Sequence, residues 1–176
     1  MKKYEILKDQ SLEYEGRILY RIKACANFVC FDKHGEREVK AGDLGGYIEK
    51  ESNLSQNLPT DEEECICWVG DNAKVMDNAV VSDSGVVLGN SVVKDNAIVS
   101  GYGELSGNGL AYGNAKIMAT LKGEVKIGGN SEVNDASQII GTIEFTDDFK
   151  IIETPILIEG NGVISGNITI DESPEV

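Results

Sequence analysis

One histidine, three prolines and one tryptophan are all that 176 residues contain of those types, and aromatic residues make up only 6%. With a single histidine, a three-histidine metal site is impossible and a histidine general base must be His34. That residue lies in Asp32-Lys33-His34-Gly35-Glu36, which reads as a solvated polar turn. No apolar run approaches the roughly 18 residues that span a bilayer as a helix. The start, Met1-Lys2-Lys3-Tyr4-Glu5, is not followed by an apolar stretch of signal-peptide type. The expectation is a cytoplasmic protein with no membrane partner. Cations are scarce as well: 16 Lys and Arg stand against 30 Asp and Glu, a net charge of −14. Direct nucleic-acid binding is thereby disfavoured, because it depends on Lys and Arg displacing counterions from phosphate.

The imbalance is unevenly placed. Residues 1–60 hold ten basic and ten acidic side chains, whereas residues 61–176 hold six and 20, the whole of the −14. Two physically different parts follow one another.

What the sequence does have is a six-residue period. Large aliphatic residues, with one alanine, return at Val69, Val75, Val81, Val87, Val93, Val99, Leu105, Ala111 and Ile117. After a four-residue step a second series runs through Leu121, Ile127, Val133, Ile139, Phe145, Ile151, Leu157 and Val163. Small residues follow four positions after each early member, from Ala73 to Ala115, and turn-forming pairs such as Asp71-Asn72, Asp77-Asn78 and Gly89-Asn90 lie between. A period of six fits neither a helix nor an unbroken strand. It fits a short strand and a tight corner, repeated, with Asn and Gly supplying the left-handed backbone that such corners need. Stacked every 18 residues, Asn72, Asn90 and Asn108 fall on one edge and Asn78, Asn96 and Asn114 on a second, as two asparagine ladders. The third edge, with Ser84, Tyr102 and Thr120, departs from the pattern.

The Val-x-Asp-Asn-Ala-x pattern resembles the hexapeptide repeat of left-handed parallel β-helix proteins, in which three hexads close one triangular coil. The resemblance implies an all-β fold: a left-handed parallel β-helix, a triangular prism of about six coils, with an N-terminal β cap. The segment Ala41-Gly42-Asp43-Leu44-Gly45-Gly46-Tyr47-Ile48-Glu49 is similar to one found in uncharacterised bacterial and prophage β-helix proteins of acyltransferase-like type.

Residues 1–40 lack hexads. Tyr4–Leu7, Ser11–Glu15 and Arg17–Ala26 around Gly16 read as strands and a hairpin, a cap over the open end of the stack. Winding is expected from Ile48 and Leu54, so that the β-helix covers 41–170, with an inserted acidic loop at 55–64 and a short acidic tail at 171–176. Asp61, Glu62, Glu63 and Glu64 are the candidate partner-binding loop. Cys25, Cys30, Cys65 and Cys67 lack the usual zinc spacing, and reduced structural thiols are the simpler reading.

Outward positions flank each inward aliphatic. Around Val75, Val93 and Ala111 these include Met76, Val92, Leu110 and Tyr112, with Lys74 and Lys94 the only charges. Such an apolar face calls for a cover: a second subunit, in a dimer or trimer, or the N-terminal cap folded back. The homo-oligomer is the reading favoured here. The other faces also carry outward apolar residues, Val86 with Leu88 and Val80 with Ile98.

For function, the resemblance offers an acyl-coenzyme A-dependent acyltransferase. Enzymes of that type usually use a catalytic histidine, and residues 69–170 contain none. The expectation is therefore a non-enzymatic protein without cofactor or metal, acting on a host protein through protein–protein contacts. Charge mimicry of a nucleic acid, in the manner of a phage inhibitor of host defence or nucleic-acid-handling proteins, would use the acidity; a small-molecule sponge is the third reading.

Overall fold

A computed structural model describes residues 2–32, 35–58, 66–134, 137–152 and 155–171. From Trp68 onward the chain is a parallel β-helix of about five turns. Two-residue strands repeat at 74–75, 80–81 and 86–87, and each pairs in parallel with the strand 18 residues on: Val75 with Val93, Val81 with Val99, Val87 with Leu105. The four-residue step appears as one coil of 16, in which Leu105 pairs with Leu121 and Ala111 with Ile127. The segment below Trp68 adds one strand, at 44–48, and a bridge from Leu54 to Val81.

The inward series is sealed from Val69 to Ile151, with side-chain exposure at or near zero throughout. The last two members are different. Leu157 and Val163 are each 64% exposed, and Ile158 and Ile164 pack inward instead. Here Ile139 pairs with Ile158 and Phe145 with Ile164, a step of 19. One added residue shifts the phase by one, and in a strand of period two that exchanges the inner and outer faces.

The corners obey a sharper rule than the sequence suggested. The residue with positive φ is the first of each turn pair, not the asparagine: Asp71, Asp77, Asp83 and Asp95, or a glycine such as Gly89, Gly107 or Gly113. Each aspartate accepts a hydrogen bond from the amide of the corner residue one coil up: Gly89 to Asp71 at 3.0 Å, Asp95 to Asp77 at 3.3 Å, Gly113 to Asp95 at 2.9 Å. The carboxylate thus fastens adjacent coils at the position where the backbone conformation costs most. The asparagine then builds the ladder. Lys50 donates to Asn78, Asn78 to Asn96, Asn96 to Asn114, Asn114 to Asn130, and Asn130 to Asp148, at 3.0–3.3 Å. A second ladder runs from Asn90 through Asn108 to Glu124.

Below the coils lie five longer strands. Strands β1 (Tyr4–Tyr14) and β2 (Arg17–Ala24) form an antiparallel hairpin, with a register break between Leu7 and Ser11 that bends it. Strands β3 (Phe28–Asp32) and β4 (Gly35–Val39) form a second. Strand β5 (Leu44–Ile48) pairs antiparallel with β2 and parallel with Lys74–Val75, so it joins hairpin to helix. Close approach at this junction explains its two glycines. A Cβ on Gly46 would lie 2.5 Å from the Ala73 carbonyl oxygen, and one on Gly45 would meet Trp68 and Val69.

Gly46→Ala is accordingly expected to cost about 1–3 kcal/mol, since backbone and not a flexible side chain must yield. Urea unfolding measures it; an unchanged midpoint would show that the junction is looser than the structure has it.

Candidate functional site

The apolar face at Met76, Val92, Leu110 and Tyr112 is covered by the chain itself. Hairpin β1–β2 folds across it, and Leu19 forms a buried cluster with Met76 and Val92 against which Leu12, Tyr14, Tyr47 and Leu110 pack. Met76 is 1% exposed and Val92 7%, while Leu110 and Tyr112 are half-buried. The Tyr112 ring lies over Gly128 of the next coil. The two lysines of that face hold the hairpin tip: Lys94 pairs with Glu15 at 2.8 Å and Lys74 sits 5.1 Å from the centre of the Tyr14 ring. This corrects the choice of oligomer face: Leu19 of the hairpin supplies the apolar cover that Met76 and Val92 require. Arg17 closes the same side, reaching Glu49 at 3.2 Å and Asp77 at 2.5 Å. Asp77 accepts both the Asp95 amide from one coil up and the Arg17 guanidinium.

The second face is covered near its base. Outward Trp68, Val86 and Leu88 are buried. Phe28 of β3 meets Trp68 edge-on at 5.3 Å, and Arg37 of β4 reaches Asp71 at 3.2 Å. The third face receives neither hairpin, and its outward Val80, Ile98, Ser100, Lys116 and Met118 range from half-buried to exposed.

Acidic groups fall into two sets. Asp71 and Asp77 are tied to arginines of the hairpins. In the upper coils Glu124, Glu132, Asp147, Asp148 and Glu159 form no ion pair among the described residues, where Lys126–Glu144 at 3.5 Å is the pair within the helix. Burial works against the Asp71 carboxylate, but the Gly89 amide and the Arg37 guanidinium outweigh it and hold its pKa below the usual range. Both amides of Asn130, backbone and side chain, do the same for Asp148.

Two open hollows lie side by side. One of about 290 Å³ is lined by Glu124, Lys126, Thr142, Glu144, Asn161 and Val163, and a neighbouring one of about 250 Å³ by the strand 157–164. Both belong to the C-terminal coils. The candidate loop Asp61, Glu62, Glu63 and Glu64 lies outside the described residues, as do His34 and Cys65. Of the other cysteines, Cys25 is exposed and Cys30 and Cys67 are buried thiols. Among the described residues no three His, Cys, Asp or Glu side chains are grouped to hold a metal, and no helix is long and apolar enough to cross a membrane.

The structure also gathers groups that sequence reasoning passed over. Lys3 is fully buried, and its ammonium nitrogen donates to the Cys67 carbonyl and sulfur, each at 3.1 Å. Burial pushes the Lys3 pKa down and the Cys67 pKa up, so the amine and thiol are each driven toward neutrality, the lysine's pull on the thiol being the smaller effect. Beside them the Tyr4 hydroxyl donates to the Glu51 and Leu54 carbonyls. Nothing in Met1-Lys2-Lys3-Tyr4 marks Lys3 for burial, since a terminal lysine pair reads as solvated. Glu104 is the second surprise: a buried carboxylate on the outer side of its coil, with Oε1 unpartnered. No protein-family model matches the sequence, and no curated protein matches it.

Two pH effects follow. Asp71 and Asp148 have folded pKa values below the unfolded value of about 3.9. Their stabilisation is complete above that pH and is lost as pH falls through the folded values. Thermal melts should decline on this acid limb, and the pair Asp71→Asn with Asp148→Asn should flatten it; an identical limb in the variant rejects the assignment. For Lys3 the folded pKa lies below about 10.4, so the unfolded chain binds more protons between the two values and stability rises with pH there. Lys3→Met should be at least as stable as the parent at neutral pH, with the difference shrinking toward pH 10. A difference independent of pH would mean that burial does not lower the pKa of this amine.

Proposed function

We propose that this chain is a non-enzymatic acidic β-helix that acts by protein–protein contact, offering a rigid array of carboxylates to a basic, nucleic-acid-handling partner. The observation that carries this reading is the set of acids without an ion pair among the described residues of the upper coils, Glu124, Glu132, Asp147, Asp148 and Glu159, in a segment, 61–176, that holds 20 acidic side chains against six basic ones. Coils repeat at about 4.8 Å along the axis, against an axial rise of roughly 3.4 Å per phosphate on one DNA strand. Side chains on such a stack keep fixed spacing, as phosphates do. Preorganised charge of one sign steers a basic partner and sharpens its choice.

Catalysis is the weaker reading. The repeats contain no histidine to deprotonate an acceptor. The hollows are open and bordered by Glu124, Glu144 and Glu159, charges that disfavour a coenzyme A pyrophosphate.

Pull-down with the intact protein from a cytoplasmic extract tests the proposal, provided that elution is done with double-stranded DNA. A mimic's partner leaves with DNA and with salt. The triple variant Glu124→Gln, Glu132→Gln, Asp147→Asn should bind that partner at least about tenfold more weakly, equivalent to roughly 1.4 kcal/mol. Retention indifferent to DNA rejects mimicry, and acetyl transfer from acetyl-coenzyme A by the purified chain rejects the non-enzymatic reading.

A further inference from the structure

Lys3 and Cys67 bring an amine and a thiol into contact where water is excluded from both. Lys3 is 0% exposed and Cys67 1%. The Lys3 Nζ donates to the Cys67 sulfur and to the carbonyl oxygen of the same residue, each at 3.1 Å. Among the described residues no carboxylate pairs with this lysine, so nothing there answers a buried ammonium. Burial lowers the pKa of the amine and raises that of the thiol. The neutral amine carries a lone pair at contact distance from sulfur.

Burial has two opposite effects on the chemistry of such a pair. It slows any reagent, because a small oxidant must wait for a local opening. Lys3 stands just outside β1, held by its amide to the Gln56 side chain at 3.1 Å and by its carbonyl oxygen to the Cys25 amide at 2.8 Å. Opening a strand end costs less than unfolding the whole domain. Once sulfur is oxidised, burial also selects the product. A sulfenic acid condenses with whichever nucleophile is nearest, and here dissolved thiols are kept out while the Lys3 amine is in contact. Cys30, the buried thiol whose charge is felt at Lys3, donates instead to the Arg37 carbonyl at 3.7 Å.

We propose that Lys3 and Cys67 form a cross-linking site, at which hydrogen peroxide joins the lysine nitrogen to the cysteine sulfur as a sulfenamide and ties the start of β1 to the first coil. The thiol passes its proton to the amine, and the thiolate attacks one peroxide oxygen. The O–O bond breaks, and the departing hydroxide takes the proton back from the ammonium and leaves as water. Sulfur has lost two electrons, which the peroxide has gained. The amine then attacks the sulfur of the sulfenic acid, the S–O bond breaks, and hydroxide leaves with an amine proton as a second water. A dissolved dithiol reverses the bond: it attacks sulfur, releases the amine and clears the mixed disulfide with its second thiol. The site lies at the foot of the stack and owes nothing to the acidic upper coils, so it stands apart from the proposed partner.

Peptide mapping of the intact protein after hydrogen peroxide at neutral pH tests it, with free thiols blocked by N-ethylmaleimide and no reductant in the digest. The expected product is the peptide of Lys3 joined to the peptide of Cys67, lighter than their sum by two hydrogens and split by dithiothreitol. A link between residues 64 positions apart constrains the unfolded chain, so the melting temperature should rise with the cross-link and fall back on reduction. Lys3→Met and Cys67→Ala should show neither the product nor the shift. A chain with Cys25→Ala, Cys30→Ala and Cys65→Ala keeps Cys67 as its only thiol and should cross-link like the parent; if it does not fold, the parent's peptide map alone distinguishes nitrogen from sulfur as the atom bound to Cys67. Peroxide treatment in urea should lose the joined peptide, because proximity is what makes it. The proposal is overturned by a free Cys67 thiol when the exposed Cys25 is already oxidised, by Cys67 recovered as a sulfinic acid or in a disulfide, by a joined peptide that forms equally in urea, or by a melting shift that persists in Lys3→Met.

Discussion

A coil of a β-helix cannot satisfy its own backbone; the partner of each strand amide lies one coil away. Almost every other feature of this molecule answers to that constraint. Short strands must stay in register over many turns, so the period of six is held by buried Val, Leu and Ile positions that a slip would turn to solvent. The corners must place a residue in the left-handed region at each bend, and aspartate or glycine sits there. Aspartate is the more useful of the two, because its carboxylate also accepts the amide at the same corner of the next coil.

The asparagine ladders express the same logic with a direction. A primary amide donates upward and accepts from below, so a row of them is polarised and needs a donor at its foot and an acceptor at its head. In the longer ladder these are Lys50, which can only donate, and Asp148, which when ionised can only accept. The shorter ladder ends on Glu124. Some of the acidity of the upper coils is therefore structural, and the aspartates that look in sequence like repulsive stacks are partly consumed by backbone amides. Asp147 likewise accepts the Gly166 amide at 2.8 Å, so of these acids Glu132 and Glu159 are the ones left to face a partner among the described residues.

The repeat made the helix legible, from the parallel stacking to the inward set between Val69 and Ile151, because a period of six admits few solutions. The phase change near Ile151 was not legible. Leu157 and Ile158 are both large and apolar, and only the pairing of Ile139 with Ile158 decides which turns inward. The same ambiguity governed the outer faces. Sequence pattern showed that Met76, Val92 and Leu110 needed a cover, and could not show that Leu19 of the hairpin supplies it. The buried pair Lys3 and Cys67 left no trace in the pattern, since it arises from two segments 64 positions apart.

Covering two faces with the N-terminal part has a consequence for where contacts can form. Apolar surface on a β-helix occurs on its faces and at its two ends, and here one face is closed by β1–β2, the base of a second by β3–β4, and the lower end by both. The surface left over divides by chemistry. The third face carries Val80, Ile98 and Met118 outward, whereas the corners of the upper coils are acidic and suit a basic, solvated, salt-sensitive contact. The inward Ile158, Ile164, Ile168 and Ile170 of the last coil are half-buried, apolar surface that suits contact excluding water. One surface cannot serve both purposes, because a carboxylate buried against a strand edge loses hydration that no partner there restores.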